Sequence, residues 1–246
     1  MDSDGGPTLD GFLGGRISLW QPHHGYRAAT DPVLLAAAVP ARPGQSALEL
    51  GCGVGTASLC LLSRLPGLSV TGIERQADYA DLARRNAADN HLDLTVLTAD
   101  LASLAAELRG HEFDHVLANP PYFRPDGGTP ARNPGREGAL REDTPLTLWI
   151  DAGLRRLRPG GWLTMIHLAE RLGEILALLP PRAGSVSILP VAPRPGRAAN
   201  RVLVRARKGG KAPLRLLAPL ILHDGVAHLS DGDDYTATAR AVLRHC

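Results

Sequence analysis

No apolar run in this 246-residue sequence approaches the ~18 residues that a membrane-spanning helix requires. Cysteine is scarce: Cys52, Cys60 and Cys246 are too few and too scattered for a disulfide framework or a metal site. His23, His24, His111 and His115 have no partners at metal-ligand spacing, so no metal is expected. No serine stands in the strand–elbow–helix pattern of an activated nucleophile. The opening MDSDGGPTLDGF is acidic and lacks the basic-then-apolar segment of an export signal, which points to a cytoplasmic protein. Internal repeats are absent too. What is there is an ordinary globular composition, 44% hydrophobic and 21% charged, which excludes disorder, collagen and coiled coil. A chain of this length buries ~70–75% of its unfolded surface and needs no staples.

The net charge of +2 hides an uneven distribution. Residues 1–123 carry 8 Lys/Arg against 14 Asp/Glu, whereas residues 124–246 carry 19 against 11. From Ile175 to His223 there are nine basic residues and no acidic one. That asymmetry suits a polyanionic partner for the second half, and a merely solvated basic face is the alternative.

From Ser46 onward, strand-like runs alternate with helical ones. Ser46–Leu50, Ser69–Glu74, Leu94–Asp100 and Phe113–Asn119 read as strands, with helices over Thr56–Leu65, Gln76–Asn90 and Leu101–Leu108 between them. After the Pro/Gly/Arg-rich Arg124–Asp143 comes a helix at Leu146–Leu157, then the turn Arg158-Pro159-Gly160-Gly161, the strand Trp162–Leu168 and a helix near Ala169–Leu179. Such alternation implies βαβ units and a parallel sheet buried on both faces. Ser185–Val191 and Arg201–Ala206 are joined by a connection too short for a helix, so this last pair is expected to be antiparallel. The expected fold is α/β, Rossmann-like, with a seven-stranded, mostly parallel sheet. Its division is an N-terminal cap over residues 1–45, a core domain over 46–210 and a C-terminal extension over 211–246 packed on the same domain.

Leu48-Glu49-Leu50-Gly51-Cys52-Gly53-Val54-Gly55 is a strand running into a glycine loop that opens a helix. Glycines permit positive φ and close backbone approach to a ligand, and the helix start supplies unpaired N–H donors. Glu74 follows at the end of the second strand, where a carboxylate can accept both hydroxyls of a ribose. A dinucleotide site would need a third glycine at Thr56. Glu49 beside the loop would repel a pyrophosphate but could hold an ammonium through water. S-adenosylmethionine carries an ammonium and a sulfonium, so it suits this pocket better. Asp100, ending the third strand, can accept a hydrogen bond from an adenine amine, and it can also cap the helix that follows.

Asn119-Pro120-Pro121-Tyr122-Phe123 follows directly on an apolar strand, at the carboxyl edge where open α/β sheets bind ligands. The two prolines remove two backbone donors and leave carbonyls that only accept. With the Asn119 side-chain oxygen they make a rigid acceptor pair, and Tyr122 offers a face on which a base can stack. Such a pair can grip both N–H bonds of a planar amine and expose its lone pair. Asn119, Pro120 and Tyr122 are thus the candidate catalytic residues.

Together these segments resemble class I S-adenosylmethionine-dependent methyltransferases acting on exocyclic or amide nitrogens. Gly25-Tyr26-Arg27-Ala28-Ala29-Thr30-Asp31-Pro32-Val33-Leu34-Leu35 is similar to the segment before the core of the bacterial tRNA(Val) adenine-N6 methyltransferases. That similarity runs on through Ala131–Glu142, Leu157–Gly161 and Arg201–Arg205. The resemblance implies that Glu49, Gly51, Gly53, Gly55, Glu74, Asp100 and Asn119 bind the cofactor, with Arg27 and Asp31 lining its methionine end. Glu49 stands where that family often has Asp. The resemblance also implies methyl transfer to an adenine of tRNA near the anticodon. Protein-glutamine methylation, DNA adenine methylation and a non-catalytic nucleic-acid-binding module are the alternatives. Arg194 and Arg197, in the connection between the last two strands, are the expected RNA contacts.

Overall fold

A computed structural model describes residues 5–102, 108, 110–122, 144–225 and 234–245. The chain opens with an antiparallel hairpin, β1 (Thr8–Phe12) and β2 (Ile17–Gln21), followed by helix α1 (Thr30–Ala38). Then come β3 (Ser46–Leu50), α2 (Thr56–Arg64), β4 (Ser69–Glu74), α3 (Ala77–Asp89), β5 (Leu94–Thr98) and β6 (Phe113–Ala118). The second half holds α4 (Leu146–Arg156), β7 (Leu157–Leu168), α5 (Leu172–Leu178), β8 (Ala183–Ala192), β9 (Arg201–Lys208), β10 (Arg215–Leu216), β11 (Leu220–Ile221) and α6 (Ala237–His245).

The main sheet runs in the order β10-β8-β9-β7-β6-β3-β4-β5, and β11 also pairs with β8. All neighbours are parallel except β9, which lies antiparallel between β7 and β8. The expected seven strands are all present. Two two-residue strands extend the sheet beyond β8, too short to leave a periodic signal. The expected turn at Arg158–Gly161 is instead an irregularity inside β7, where the register shifts between the Phe113–Leu157 and His115–Trp162 pairs. The expectations for Arg124–Asp143 and for most of Leu101–Leu108 lie outside the described residues.

Strand alternation sends Leu48, Leu50, Val116 and Ala118 into one core, under α4 and α5. Ala47, Leu117 and Leu203 go into the other, with α1, α2, α3 and α6. Helix α1 is apolar nearly all round: Pro32, Val33, Leu34, Leu35 and Ala36 are all buried.

The hairpin is fastened to α3 by two asparagines that imitate a neighbouring strand. Asn86 accepts from the Trp20 amide (2.7 Å) and donates to the Trp20 and Val54 carbonyls. Asn90 accepts from the Ser18 amide (2.9 Å) and donates to its carbonyl (2.7 Å). Past the hairpin, the Gln21 amide bonds Ala28 on both its N–H and C=O. The Tyr79 hydroxyl accepts from the Tyr26 amide at 2.9 Å. These bonds lay residues 21–28 across the carboxyl edge of β3 and β4.

Candidate active site

At that edge the chain leaves β3 through the glycine loop. Gly51 has φ +62°, and a Cβ there would lie 2.5 Å from the Trp149 ring. Gly53 has φ +56°, and an added Cβ would meet nothing within 4 Å. Gly53 lines a cavity at this edge, so its missing side chain leaves open space where a ligand can lie against backbone. Gly55 caps α2.

Three carboxyl groups face this cavity. Glu49 is buried, and its Oε2 accepts from the Ser58 amide (2.8 Å) and hydroxyl (2.5 Å). Burial pushes its pKa up to about 8, against the Ser58 bonds and with help from Glu74. Glu49 is thus not the standing negative charge expected from the sequence; it is a carboxyl that a cation would ionise. Glu74 accepts from the Gly53 amide (2.9 Å) on one oxygen and from the Gln76 amide (2.8 Å) on the other. Each oxygen keeps a second lone pair. Asp100 accepts from the Ala102 amide at 2.8 Å, and Arg75 stands 3.9 Å from its other oxygen. The donor set fits S-adenosylmethionine: acceptors for hydroxyls and an amine, a buried carboxyl for a cation, and a bare glycine backbone. Among the described residues Arg75 is the one basic side chain in the lining, which is poor provision for a pyrophosphate.

The opposite wall is Asn119–Tyr122, set there by β6. Asn119 Nδ2 donates to the Tyr26 hydroxyl (3.3 Å), and its Oδ1 lies 2.8 Å from the Tyr122 hydroxyl. The Tyr122 hydroxyl also reaches Asp31 Oδ2 at 2.5 Å. It has one proton, and a carboxylate is the stronger acceptor. Burial, then Asp31, raise the Tyr122 pKa, so the phenol stays neutral. Arg201 Nε donates to the same Asp31 oxygen (3.0 Å), and its guanidinium lies 4.6 Å from the Tyr122 ring centre. One face of the ring is therefore taken.

Several expected site residues stand elsewhere. Arg27 does not line the cavity; its guanidinium turns back to the hairpin, onto Asp10, Thr8 Oγ1 and the Pro22 carbonyl. Asp31 does not line it either and acts from behind Tyr122. The β8–β9 connection does reach the carboxyl edge, since Leu168 pairs with Arg201. Within it Arg194 is not open to a ligand: it pairs with Asp234 (2.5 Å), donates to the Asp224 carbonyl and is 14% exposed. Arg197 is exposed. Tyr26, Tyr79 and Trp149 line the cavity without having been singled out. Tyr26 belongs to the N-terminal segment that resembles the family, but nothing local tells a cavity tyrosine from a core one. Among the described residues no group of three or more His, Cys, Asp or Glu could hold a metal ion, and no helix is long and apolar enough to cross a membrane.

Residues 29–131 match the family model described as Methyltransferase small domain. A tRNA1(Val) (adenine(37)-N6)-methyltransferase from Dickeya chrysanthemi is 31% identical over 89% of this chain and 86% of its own. A release factor glutamine methyltransferase from Aliivibrio fischeri is 33% identical over 54% of this chain and 48% of its own. Among solved structures, a predicted O-methyltransferase from Agrobacterium tumefaciens superposes with a TM-score of 0.68 at 30% identity, covering 86% of this chain and 94% of that one.

Proposed function

The chain belongs to the family of tRNA1(Val) (adenine(37)-N6)-methyltransferases, and from that premise we propose that it moves the methyl group of S-adenosylmethionine to N6 of an adenine in tRNA, near the anticodon. The observation that carries this reading is one cavity with carboxyl acceptors on one wall and Asn119-Pro120-Pro121-Tyr122 on the other.

S-adenosylmethionine supplies a methyl group activated by a sulfonium cation. Glu74 would accept from the ribose hydroxyls, Asp100 from the adenine amine of the cofactor, and Glu49 would meet the ammonium. Asn119 Oδ1 and the Pro120 carbonyl accept the two N–H bonds of the target amine. Gripped there, its nitrogen lone pair leaves conjugation with the ring and faces the methyl group. Tyr122, neutral and clamped by Asp31, is a stacking wall for the target base rather than a proton acceptor. Residues 1–45 serve as the cap: Tyr26, Ala28 and Pro32 from this segment line the cavity. A tRNA substrate supports a cytoplasmic location for the enzyme.

The test is incubation with methyl-labelled cofactor and separate pools of tRNA, rRNA, DNA and protein, followed by nucleoside digestion. Label in tRNA, recovered as N6-methyladenosine, is expected. Label confined to a glutamine amide of the protein pool overturns the reading.

A further inference from the structure

Along β9, side chains alternate between the two faces of the sheet. Val202, Val204 and Ala206 enter the core beside α4, so Arg201, Leu203, Arg205 and Arg207 share the other face. Arg201 stands at the catalytic edge, beside Tyr122. Six residues on, roughly 20 Å at ~3.3 Å per residue, Arg207 stands at the far edge of the sheet.

There it meets a cleft lined by Arg42 and Gln45 ahead of β3, by Arg158 and Trp162 of β7, and by Arg205 and Asp114. The Arg207 guanidinium lies 5.9 Å from the Trp162 ring centre, with Nε on the Gly160 carbonyl at 2.9 Å. Arg205 uses Nε on Ser187 Oγ (3.2 Å). Arg42 is exposed, with no side-chain partner among the described residues. Asp114, the one acid among the described residues of the lining, is already engaged: it accepts from the Ser46 amide (2.9 Å), the Ser46 hydroxyl (3.1 Å) and Arg158 (2.8 Å). Burial opposes its ionisation, but these three bonds hold its carboxyl below the usual range.

Four guanidinium groups thus face a cleft whose one carboxylate is neutralised. Their spread along an open groove suits a chain of phosphates rather than one compact anion, and Trp162 adds an aromatic surface. At ~3.4 Å per nucleotide of one strand, 20 Å is about six nucleotides. A single nucleotide seated at Tyr122 is too short to reach the cleft, whereas an RNA that carries the adenine is long enough to pass around the molecule to it. We propose that the Arg42–Arg158–Arg205–Arg207 cleft binds backbone phosphates of the substrate RNA, remote from the methylated base. This rests on the tRNA reading above.

The experiment compares wild type with Arg42→Glu/Arg207→Glu, and with Arg42→Glu alone, which breaks no bond within the protein. Full-length tRNA binding is measured from low to moderate salt, and S-adenosylhomocysteine binding by calorimetry. The double variant is expected to bind tRNA at least about tenfold more weakly, with the slope of log K against log salt flattened by roughly 1.4–1.8, the share of two phosphates. The single variant should lose about half of that slope. Cofactor affinity and the rate at saturating tRNA should hold within about twofold while KM rises. Unchanged tRNA affinity and slope in both variants overturn the proposal. So does inorganic phosphate binding that depends on Arg42 while tRNA binding does not. If wild type methylates no RNA pool, it is the functional reading that fails, and that is read independently of these slopes.

Discussion

The Arg201 guanidinium lies over the Tyr122 ring, 4.6 Å from its centre, and both residues bond the same oxygen of Asp31. The three residues come from β9, from the turn after β6 and from α1. An aromatic ring of the cavity lining is therefore held by a carboxylate and a cation that do not themselves line the cavity. Without them the ring would keep its rotamer freedom and the base its looseness.

Asp31→Asn should lower kcat by about tenfold, the equivalent of roughly 1.4 kcal/mol of barrier, while S-adenosylhomocysteine affinity stays within about twofold. Steady-state kinetics on tRNA and calorimetry separate the two effects. Asp31→Glu, which keeps the charge, should recover part of the loss; equal rates in all three proteins would mean that the clamp has no bearing on turnover.

Asn119→Ala removes one of the two acceptors proposed for the amine. Its cost should be on the order of 10²–10³ in rate, as for one preorganised polar group. The residue sits past the end of β6, so folding should survive. Single-turnover methylation at saturating cofactor checks this, and near-normal turnover would end the amine-gripping account.

Glu49 should couple cofactor binding to pH. Below about 8 the free protein holds a proton on this carboxyl, and an ammonium beside it favours the carboxylate. Binding should therefore release a proton near neutral pH, and affinity should rise as pH climbs towards 8. Calorimetry in buffers of different ionisation enthalpy reads that proton directly, and Glu49→Gln should abolish it. The stability sign follows from the raised pKa. The protonated group's contribution to the free protein is complete below about 4.5 and is lost as pH rises through about 8, so Glu49→Gln should raise the melting temperature most at alkaline pH.

Gly51→Ala should destabilise the fold by about 2–4 kcal/mol. The left-handed backbone costs about 1–2 kcal/mol for an L-residue, and the Cβ would press on Trp149 at 2.5 Å, an overpacking cost of similar size. Chemical denaturation monitored by tryptophan fluorescence measures it.

Arg194 and Arg197 should separate cleanly. Arg194→Ala breaks the bonds to Asp234 and the Asp224 carbonyl, so thermal stability should fall with little change in RNA affinity. Arg197→Glu, on an exposed stretch of the connection, should leave stability alone, weaken tRNA binding and flatten the salt slope by roughly 0.7–0.9. Unchanged tRNA binding by Arg197→Glu would confine the RNA surface to other residues.

The glycine loop, Glu74 and Asp100 at consecutive strand ends, and Asn119-Pro120-Pro121-Tyr122 were all legible from sequence. Each is a local pattern: a strand period, a turn that only glycine or proline chemistry allows, and a polar residue at the point where the strand stops. The sheet followed for the same reason, because alternating strands and helices leave few ways to bury both faces. Partnership was decided only by the tertiary structure. Whether Arg194 or Arg197 is open depends on Asp234, from a distant segment. Whether Arg27 faces the cavity depends on Asp10 in the hairpin, and the protonation of Glu49 depends on burial by elements on every side. The Arg205–Arg207 cleft arises because β9 inserts between β7 and β8 and brings its arginines beside Arg42 and Arg158. A charge count along the chain carries no term for which charge is already answered, and only long-range packing supplies it.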